Sequence, residues 1–461
     1  MLRRLQLILF VFLVTGCGSY FTPKNPDVPR VQEDEEVRMG RQFRREIKQQ
    51  LRLLNHPEVE RYVDQVGRRV LSAMGSLPFD YRFFVVEDNQ LNAFAVPGGS
   101  VYFYTGLIDR AKSTAELAGV MGHEIIHIKD KHMARLSGPD PLAILGVLAM
   151  ILARGGAGAQ AAGAIAQGLS ATRQFAYTRQ LELEADTLGV RYMAQAGYDP
   201  AAAVSFLKTM DQERFLNPVQ APAYLLTHPL TPERIANMER VVRSLNVDRP
   251  RAEGADPLKR IQTFIRLTQD EGVVVVAEYA KVIKRTPDNA EARHLLAIAQ
   301  HHGGQTAPAR ENYEKARTLD PKRPGLDRDL ARLYTQTGEF HVAHEALERA
   351  MRAEPREPLN FLYLGELYEK EANLREAASA YLGAANLSPL WPLPPYRVGV
   401  AYGKMGRLGD AHYYLGRSNF LQDEDERAIA DFERAIKALG PNSPRTQLVR
   451  EEMEMLKARR R

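Results

Sequence analysis

Cysteine is almost absent from this chain of 461 residues, which contains Cys17 alone. A single thiol cannot form an internal disulfide, so no disulfide framework holds the fold together. Excess charge is small too, because 62 basic and 57 acidic residues leave a formal net charge of +5, and no nucleic-acid partner is indicated. Long hydrophobic runs are missing: the apolar stretches at 7–14 and 141–153 are too short for a permanent transmembrane helix.

The first 16 residues have the features of a secretory signal, with two arginines followed by a short apolar run. The run ends in Val-Thr-Gly directly before Cys17, a placement that resembles a bacterial lipobox. We therefore predict a signal peptide at 1–16 and a lipidated tether at 17–30, anchored to the membrane by acyl chains on Cys17. Gly18 in the next position favours the periplasmic face of the outer membrane.

The central motif is His-Glu-x-x-His at 123–127, inside a segment with the apolar spacing of a helix and no proline. Four residues separate His123 from His127, so both imidazoles project from one face at the spacing that zinc takes from two nitrogen ligands. Glu124 lies beside this pair, where it can act as general base toward a water on the metal. Short motifs also arise by chance, so the third ligand decides the interpretation.

One known arrangement takes the third ligand from a nearby histidine, in the pattern H-E-x-x-H-x-x-G-x-x-H. Here Asp130 occupies the glycine position and Met133 the histidine position. His132 is one place off and cannot substitute without a different backbone path. This arrangement is excluded.

The other arrangement takes a glutamate from a second helix, and the segment 178–190 offers one. Glu182 and Asp186 are spaced i, i+4, so they share a helix face. Glu184 points away from that face, and we expect it to be a solvated charge.

H-E-x-x-H followed by R-x-x-E-x-x-A-D-x-x-G resembles the zinc metallopeptidases related to HtpX and the CAAX prenyl protease. The resemblance implies that Glu182 is the third ligand of one zinc ion per chain, and that Asp186 holds a ligand histidine by its free ring N–H. A later T-H-P…R element of the family matches His228 and Arg234. It implies that both assist the oxyanion, or that His228 occupies the fourth zinc position in a resting state. An ion-pair role for Arg234 is an open alternative.

Residues 92–106 are typical of a hairpin, because two short apolar strands flank Pro-Gly-Gly at 97–99. The segment is similar to the N-A-x-x-x-P-G-G element of the same family. An exposed edge strand beside the metal commonly pairs with the substrate main chain in such enzymes. We predict that Phe94, Ala95 and Val96 form this edge; an ordinary core hairpin is the alternative.

The apolar and then glycine- and alanine-rich segment 141–169 lies between the two ligand motifs. Its composition suits a cover over the site, or a surface that touches membrane or unfolded substrate. A buried core helix is the alternative.

Beyond a linker at 246–257 the chain repeats itself with the period of the tetratricopeptide repeat. Four prolines are spaced by 34 residues: Pro287, Pro321, Pro355 and Pro389. Small residues between them let paired helices approach closely, and flanking helices at about 258–284 and 425–439 are expected to close the array. The concave face of such an array binds a peptide or protein partner.

Together these features predict a mainly α protein. A zincin-type (gluzincin) metallopeptidase domain at 31–250 carries a small sheet, and an α-solenoid of tetratricopeptide repeats follows at 255–461. The combination is similar to the periplasmic BepA-like branch of the family. That resemblance implies a Gram-negative endopeptidase of the outer membrane that degrades unfolded or misassembled outer-membrane β-barrel proteins. The repeats would dock on substrate or on the barrel-assembly machinery.

Two other functions fit the same sequence. The protein is a scaffold or chaperone if its repeats do the work and zinc only holds a domain together, in a closed site of four protein ligands. It is a processing enzyme if it serves one envelope substrate. Glu124 argues against the purely structural role, because a scaffold has no chemical need for a carboxylate beside the ligands.

Overall fold

The computed structural model describes residues 35–77, 80–137, 171–216, 222–245 and 256–458. These residues form 21 helices and one three-stranded sheet, so the mainly α prediction is confirmed. They fall into two compact units, Glu35–Leu390 and the residues from Trp391 onward. No helix within the described ranges is long and apolar enough to cross a membrane. The predicted signal peptide, the tether with Cys17, and the 141–169 segment lie outside the described residues.

The first unit begins with two helices and the sheet. They are α1 (Glu35–Gln50), α2 (Pro57–Ser72), β1 (Arg82–Val86), β2 (Ala93–Val96) and β3 (Ser100–Tyr104). Strand β3 is central and pairs parallel with β1 and antiparallel with β2. The predicted hairpin is confirmed, and its turn contains Gly98 and Gly99 at φ of +78° and +93°, a region that glycine adopts at little cost.

Seven helices complete the N-terminal part of this unit. They are α3 (Thr105–Arg110), α4 (Thr114–Lys129), α5 (His132–Ser137), α6 (Ala171–Gln195), α7 (Ala201–Leu216), α8 (Tyr224–Thr227) and α9 (Pro232–Ser244). Ser113 is the N-cap of α4, and its side chain accepts a hydrogen bond from the Glu116 N–H. Because α2, α6, α7 and β2 all pack on it, α4 is buried on nearly every face and forms the centre of this part.

Two glycines bring α4 and α6 close together. A Cβ on Gly122 would lie 2.8 Å from the Gly189 carbonyl oxygen, and a Cβ on Gly189 would lie 2.8 Å from the backbone nitrogen of His123. No real side chain fits at such distances, so the two helices touch through their backbones. This contact sets the separation between the histidine motif on α4 and the acidic motif on α6.

Replacing Gly122 by alanine is therefore expected to lower the free energy of unfolding by about 1–3 kcal/mol and to weaken metal binding, because the added methyl must push the helices apart. Urea unfolding and metal titration measure the two effects. Gly403→Ala is the matched control, since its Cβ would meet nothing nearer than Ala411 at 3.8 Å. Equal behaviour of the two variants would contradict the role given to this contact.

Eight more helices of the first unit form paired repeats. They are α10 (Leu258–Thr268), α11 (Gly272–Arg285), α12 (Ala290–His302), α13 (Thr306–Leu319), α14 (Leu326–Thr337), α15 (Phe340–Ala353), α16 (Pro358–Lys370) and α17 (Leu374–Leu387). Within one pair, the Tyr381 ring packs on Gly365, where a Cβ would meet it at 2.4 Å. The predicted flank at 258–284 is two helices, because Asp270 turns the chain at a φ of +62°.

The second unit continues with α18 (Leu393–Lys404), α19 (Leu408–Leu421), α20 (Asp425–Leu439) and α21 (Pro444–Ala458). The predicted helix at 425–439 is confirmed by α20. Helix α21 follows it and was not anticipated from the 34-residue period. Its buried side chains, Val449 and Leu456 among them, pack against α20.

In the first unit, a buried ionic cluster joins α2 to the repeat helices. Glu58 on α2 accepts hydrogen bonds from Arg260 Nη1 at 2.8 Å and from Arg328 Nε at 3.1 Å. Arg260 also donates to Asp329 at 2.7 Å, and His294 lies 2.9 Å from the same carboxylate. All five side chains are buried, so each charge depends on its partners. We call these residues the Glu58 cluster.

Candidate metal centre

The histidine motif and the acidic motif meet in the interior of the N-terminal part of the first unit. Helix α4 presents His123 and His127 on one face, and their Nε2 atoms lie 3.0 Å apart. Helix α6 brings Glu182 opposite them, with carboxylate oxygens 3.4 Å from His123 Nε2 and 3.3 Å from His127 Nε2. The three predicted ligands are therefore together, with their donor atoms turned toward one point.

His228 lies immediately after α8 and joins the cluster. Its Nδ1 is 3.2 Å from His123 Nε2 and 3.0 Å from Glu182 Oε1. One donor atom from each of these four residues lies within 4.8 Å of all the others. The Tyr224 ring stacks on His228 with a centroid distance of 4.5 Å and fixes its plane. His228 thus brings a fourth potential donor atom to the cluster.

Asp186 and Arg234 support the cluster from behind. Asp186 Oδ1 lies 3.0 Å from His123 Nδ1, so it accepts that N–H as predicted. Arg234 donates to both Asp186 oxygens at 2.8 Å and forms an ion pair with Glu182 at 2.7 Å. Burial raises the pKa of Asp186, but the Arg234 guanidinium lowers it by more, so the carboxylate stays ionised.

Arg234 is buried and committed to these partners. Besides the two carboxylates, its Nη1 donates to the carbonyls of His228 and Pro229 at 3.3 and 3.0 Å. The structure thus bears out the ion-pair alternative for this residue: Arg234 holds the T-H-P segment and the ligand helix together. Its assistance to an oxyanion stays a prediction.

Glu124 lies beside the ligands without being one of them. Its side chain is 1% exposed, and Oε1 is 3.4 Å from His228 Nε2. Among the described residues no donor forms a hydrogen bond with that oxygen. A buried carboxylate oxygen without a donor is costly unless a cation or a reacting proton is its partner. Glu124 therefore lies beside the ligand atoms, and its role as general base stays a prediction.

The donor set fits a metal ion. Burial lowers the pKa of His127 to about 3, so its ring is neutral and its Nε2 lone pair is available. Burial also lowers the pKa of His123, but Glu182 and Asp186 raise it by more, to about 10. A metal cation would take the place of that proton, because metal binding and protonation compete for the same lone pair. Two imidazoles and a carboxylate at these separations are a suitable ligand set for one metal ion.

The predicted substrate strand lies at an edge of the sheet. Strand β2 is outermost in the sheet, and no strand within the described ranges pairs with its outer side. Phe94 and Val96 point into the core at 1% exposure each, and Ala95 is half-buried. Pairing of this edge with a substrate stays a prediction.

Glu184 has contacts that helix phase alone does not reveal. We expected a solvated charge, and the side chain is 31% exposed while it accepts a hydrogen bond from Arg135 at 3.0 Å. Its carboxylate also faces the buried His132 at 3.7 Å. Both partners lie on α5, so position on α6 alone does not reveal this contact. His132 and Tyr224, which also contacts the site, were likewise not singled out as site residues by motif spacing.

The fold and the site define a metallopeptidase domain of the H-E-x-x-H type followed by helical repeats. The comparison with family models agrees: residues 57–242 match peptidase family M48. Tetratricopeptide repeats match at 276–324, 328–392 and 407–444. The chain therefore carries an M48 peptidase domain joined to tetratricopeptide repeats.

Several curated proteins are similar to the chain. The beta-barrel assembly-enhancing protease of Escherichia coli K12 is 33% identical over 210 residues, 44% of this chain and 43% of the relative. A putative beta-barrel assembly-enhancing protease of Vibrio cholerae is 34% identical over 49% of this chain and 46% of the relative. The beta-barrel assembly-enhancing protease of Yersinia pestis is 29% identical over 62% of this chain and 59% of the relative. The chain spans about half the length of the curated relatives it matches.

Proposed function

We propose that the chain is a zinc-dependent endopeptidase in which His123, His127 and Glu182 hold one zinc ion. The observation that carries the proposal is the convergence of these three donors beside the buried Glu124 carboxylate, whose Oε1 accepts no hydrogen bond from the described residues. Zinc suits this donor set, because catalytic zinc sites use three nitrogen or oxygen ligands and keep a fourth position for water or substrate. When bound, the ion supplies Lewis acidity to a peptide carbonyl and to water.

The chain's own groups then supply the proton transfers. Glu124 takes the proton of the attacking water at its Oε1 and later gives it to the leaving amine. Asp186, held by Arg234, keeps the His123 ring in the tautomer that presents Nε2 to the cluster. In this proposal His228 assists the oxyanion directly, and Arg234 assists it by holding the His228 and Pro229 carbonyls.

His228 also supports a resting state. Its Nδ1 lies among the ligand atoms, at 3.0 Å from Glu182 and 3.2 Å from His123, where it competes with water and substrate for the fourth position. A T-H-P segment that swings away would open that position and leave His228 near an oxyanion. The proposed enzyme is therefore latent until substrate or a partner moves this segment.

His228→Ala is the test of latency. We expect the variant to cleave an unfolded protein several-fold faster than the unaltered chain, because the fourth position is then open. Initial rates at equal zinc content measure the effect. A loss of about 100-fold instead would assign His228 to oxyanion stabilisation, since removing one such donor typically costs that much. Equal rates would contradict the predicted gain.

We further propose that the substrates are unfolded or misassembled outer-membrane β-barrel proteins. The name of the similar enterobacterial and vibrio proteins, beta-barrel assembly-enhancing protease, supports this class. The tetratricopeptide repeats support a protein partner, which we propose to be the substrate itself or the barrel-assembly machinery. A scaffold that works through the repeats alone is the second candidate, favoured by the four-residue cluster that includes His228.

Cleavage of a purified outer-membrane barrel in urea-diluted, unfolded form tests the substrate proposal. We expect cleavage of this form, little cleavage of the same barrel folded in detergent, and slower cleavage of an unfolded soluble protein of similar length. Equal cleavage of both unfolded proteins would contradict a barrel substrate class. If zinc is bound and no protein is cleaved even by His228→Ala, the scaffold function replaces the peptidase.

The proposed location is the periplasmic face of the outer membrane, with the chain anchored by acyl groups on Cys17. The lipobox-like sequence supports this proposal. Expression with radiolabelled palmitate should label the full chain, whereas Cys17→Ser should give an unlabelled protein in the soluble fraction. An unlabelled chain, or equal membrane association of both, would contradict the anchor.

A further inference from the structure

His132, the first residue of α5, lies against the ligand His127. The Nδ1 atoms of the two rings are 3.1 Å apart, and the rings meet edge to face with centroids 4.9 Å apart. The His132 side chain is 1% exposed. Lys131 turns the chain into α5 at a φ of +52°, a costly conformation for a residue with a side chain. The turn at Lys131 places the His132 ring in contact with the His127 ring.

The position of the metal fixes the direction of the contact between the rings. His127 Nε2 faces Glu182 and His123, so its lone pair is the one that a metal ion uses. A neutral imidazole with Nε2 on a metal carries its proton on Nδ1. That N–H donates, and His132 Nδ1 must accept. The proton of a neutral His132 is then on Nε2.

The far side of His132 agrees with this assignment. Its Nε2 is buried, has no hydrogen-bond acceptor among the described residues, and lies 3.7 Å from Glu184 Oε2. Arg135 holds that carboxylate at 3.0 Å. An N–H at Nε2 points its positive end toward the Glu184 charge, whereas a lone pair there would be repelled. Both contacts of His132 are therefore consistent with a proton on His127 Nδ1 and a proton on His132 Nε2.

The same reasoning excludes another use of these residues. Asp130, His132 and Glu184 could by spacing alone hold a second metal ion. A metal on His132 Nε2 would require a proton on its Nδ1, which would then face the Nδ1 proton of His127 at 3.1 Å. Two facing N–H groups repel each other. A metal ion on His132 is therefore incompatible with a metal ion on His127.

We infer that His132 is a positioning residue for the metal centre: it fixes the tautomer and orientation of His127 through Nδ1, with Glu184 and Arg135 behind it. The inference rests on the proposed metal function and deepens it. The two ligand histidines then have unlike partners, a carboxylate on His123 and a neutral imidazole on His127. A neutral partner donates less charge through the ligand, which leaves the ion a stronger Lewis acid than a second carboxylate would.

The test compares His132→Asn with His132→Gln in the full chain. Asparagine places an amide oxygen near the former Nδ1, and this oxygen can still accept the hydrogen bond from the His127 N–H. Glutamine places its amide near the former Nε2 and leaves the His127 N–H without an acceptor. Zinc affinity is measured by competition with a chelating dye. We expect about 10-fold weaker binding for His132→Gln and a loss of no more than about 3-fold for His132→Asn. His341→Gln, at a side chain that is 89% exposed, is the control for surface histidines.

The visible spectrum of the cobalt-substituted proteins is the second measurement, because it reports ligand geometry without any cleavage assay. We expect His132→Asn to keep the spectrum of the unaltered chain and His132→Gln to change it. Unchanged affinity and spectrum in both variants would overturn the inference, as would equal losses in both, which would show a packing role only. Failure of the unaltered chain to bind zinc would overturn the proposed function together with the inference.

Discussion

Replacing Glu124 by glutamine is expected to lower cleavage of an unfolded protein by about 100- to 10,000-fold while leaving the zinc content unchanged. Glutamine has the shape of glutamate but cannot take a proton from water at neutral pH. Glu124 is not among the four clustered donors, so its loss does not remove a ligand. The measurement is an initial rate at equal protein concentration, with zinc determined in the same samples.

The control for this variant is a glutamate far from the ligand cluster. Glu345→Gln removes an equivalent charge from a side chain that is 54% exposed, and it should leave the rate unchanged. Loss of zinc from Glu124→Gln would show that the carboxylate is a ligand. Full activity with zinc retained would exclude Glu124 as general base.

Glu58→Gln is expected to lower the free energy of unfolding by about 3 kcal/mol, because it leaves two buried arginines with one fewer counter-charge. Arg260 keeps Asp329 and Arg328 keeps Glu354, at 2.7 and 2.9 Å, which limits the loss. The midpoint of urea unfolding at pH 7 measures it. Glu345→Gln, where the glutamate is 54% exposed and faces an exposed histidine, should change stability by less than about 1 kcal/mol.

The same cluster predicts a pH dependence. Burial raises the pKa of Glu58, but Arg260 and Arg328 lower it by more, and the net pKa lies well below the ordinary value of 4.5. Because the folded pKa is depressed, this stability is complete above about pH 4.5 and is lost as the pH falls toward the folded pKa. Glu58→Gln should therefore flatten the loss of stability on acidification. An unchanged acid profile would contradict the assigned charge state.

Much of the architecture could be predicted because its signals are local. The proline period of 34 residues defines the paired repeats, and Pro-Gly-Gly marks the hairpin. The ligand set follows from spacing within two helices, together with the family resemblance that selects Glu182 as the third ligand. Those residues meet in the structure as expected. The Gly122–Gly189 contact explains how the two helices come close enough.

The remaining features depend on contacts between distant segments. Glu58 meets Arg260 and Arg328 across 202 and 270 residues of sequence, and no local pattern pairs them. The contacts of Glu184 with Arg135 and His132 were not anticipated, because both partners come from α5, a separate segment of the chain. The break between α10 and α11 lies at Asp270, which adopts a φ more typical of glycine. Contacts between side chains of distant segments cannot be predicted from the position of a residue on its own helix.

The most direct test of the metal centre is removal and return of the ion. The protein is stripped with a chelator, and cleavage of an unfolded barrel is followed as zinc is added back, in the unaltered chain and in Glu182→Gln. We predict no cleavage without metal, full recovery at one zinc per chain, and at least about 10-fold weaker zinc binding in the variant. Cleavage that survives complete removal of metal, or equal zinc binding by both proteins, would contradict the account.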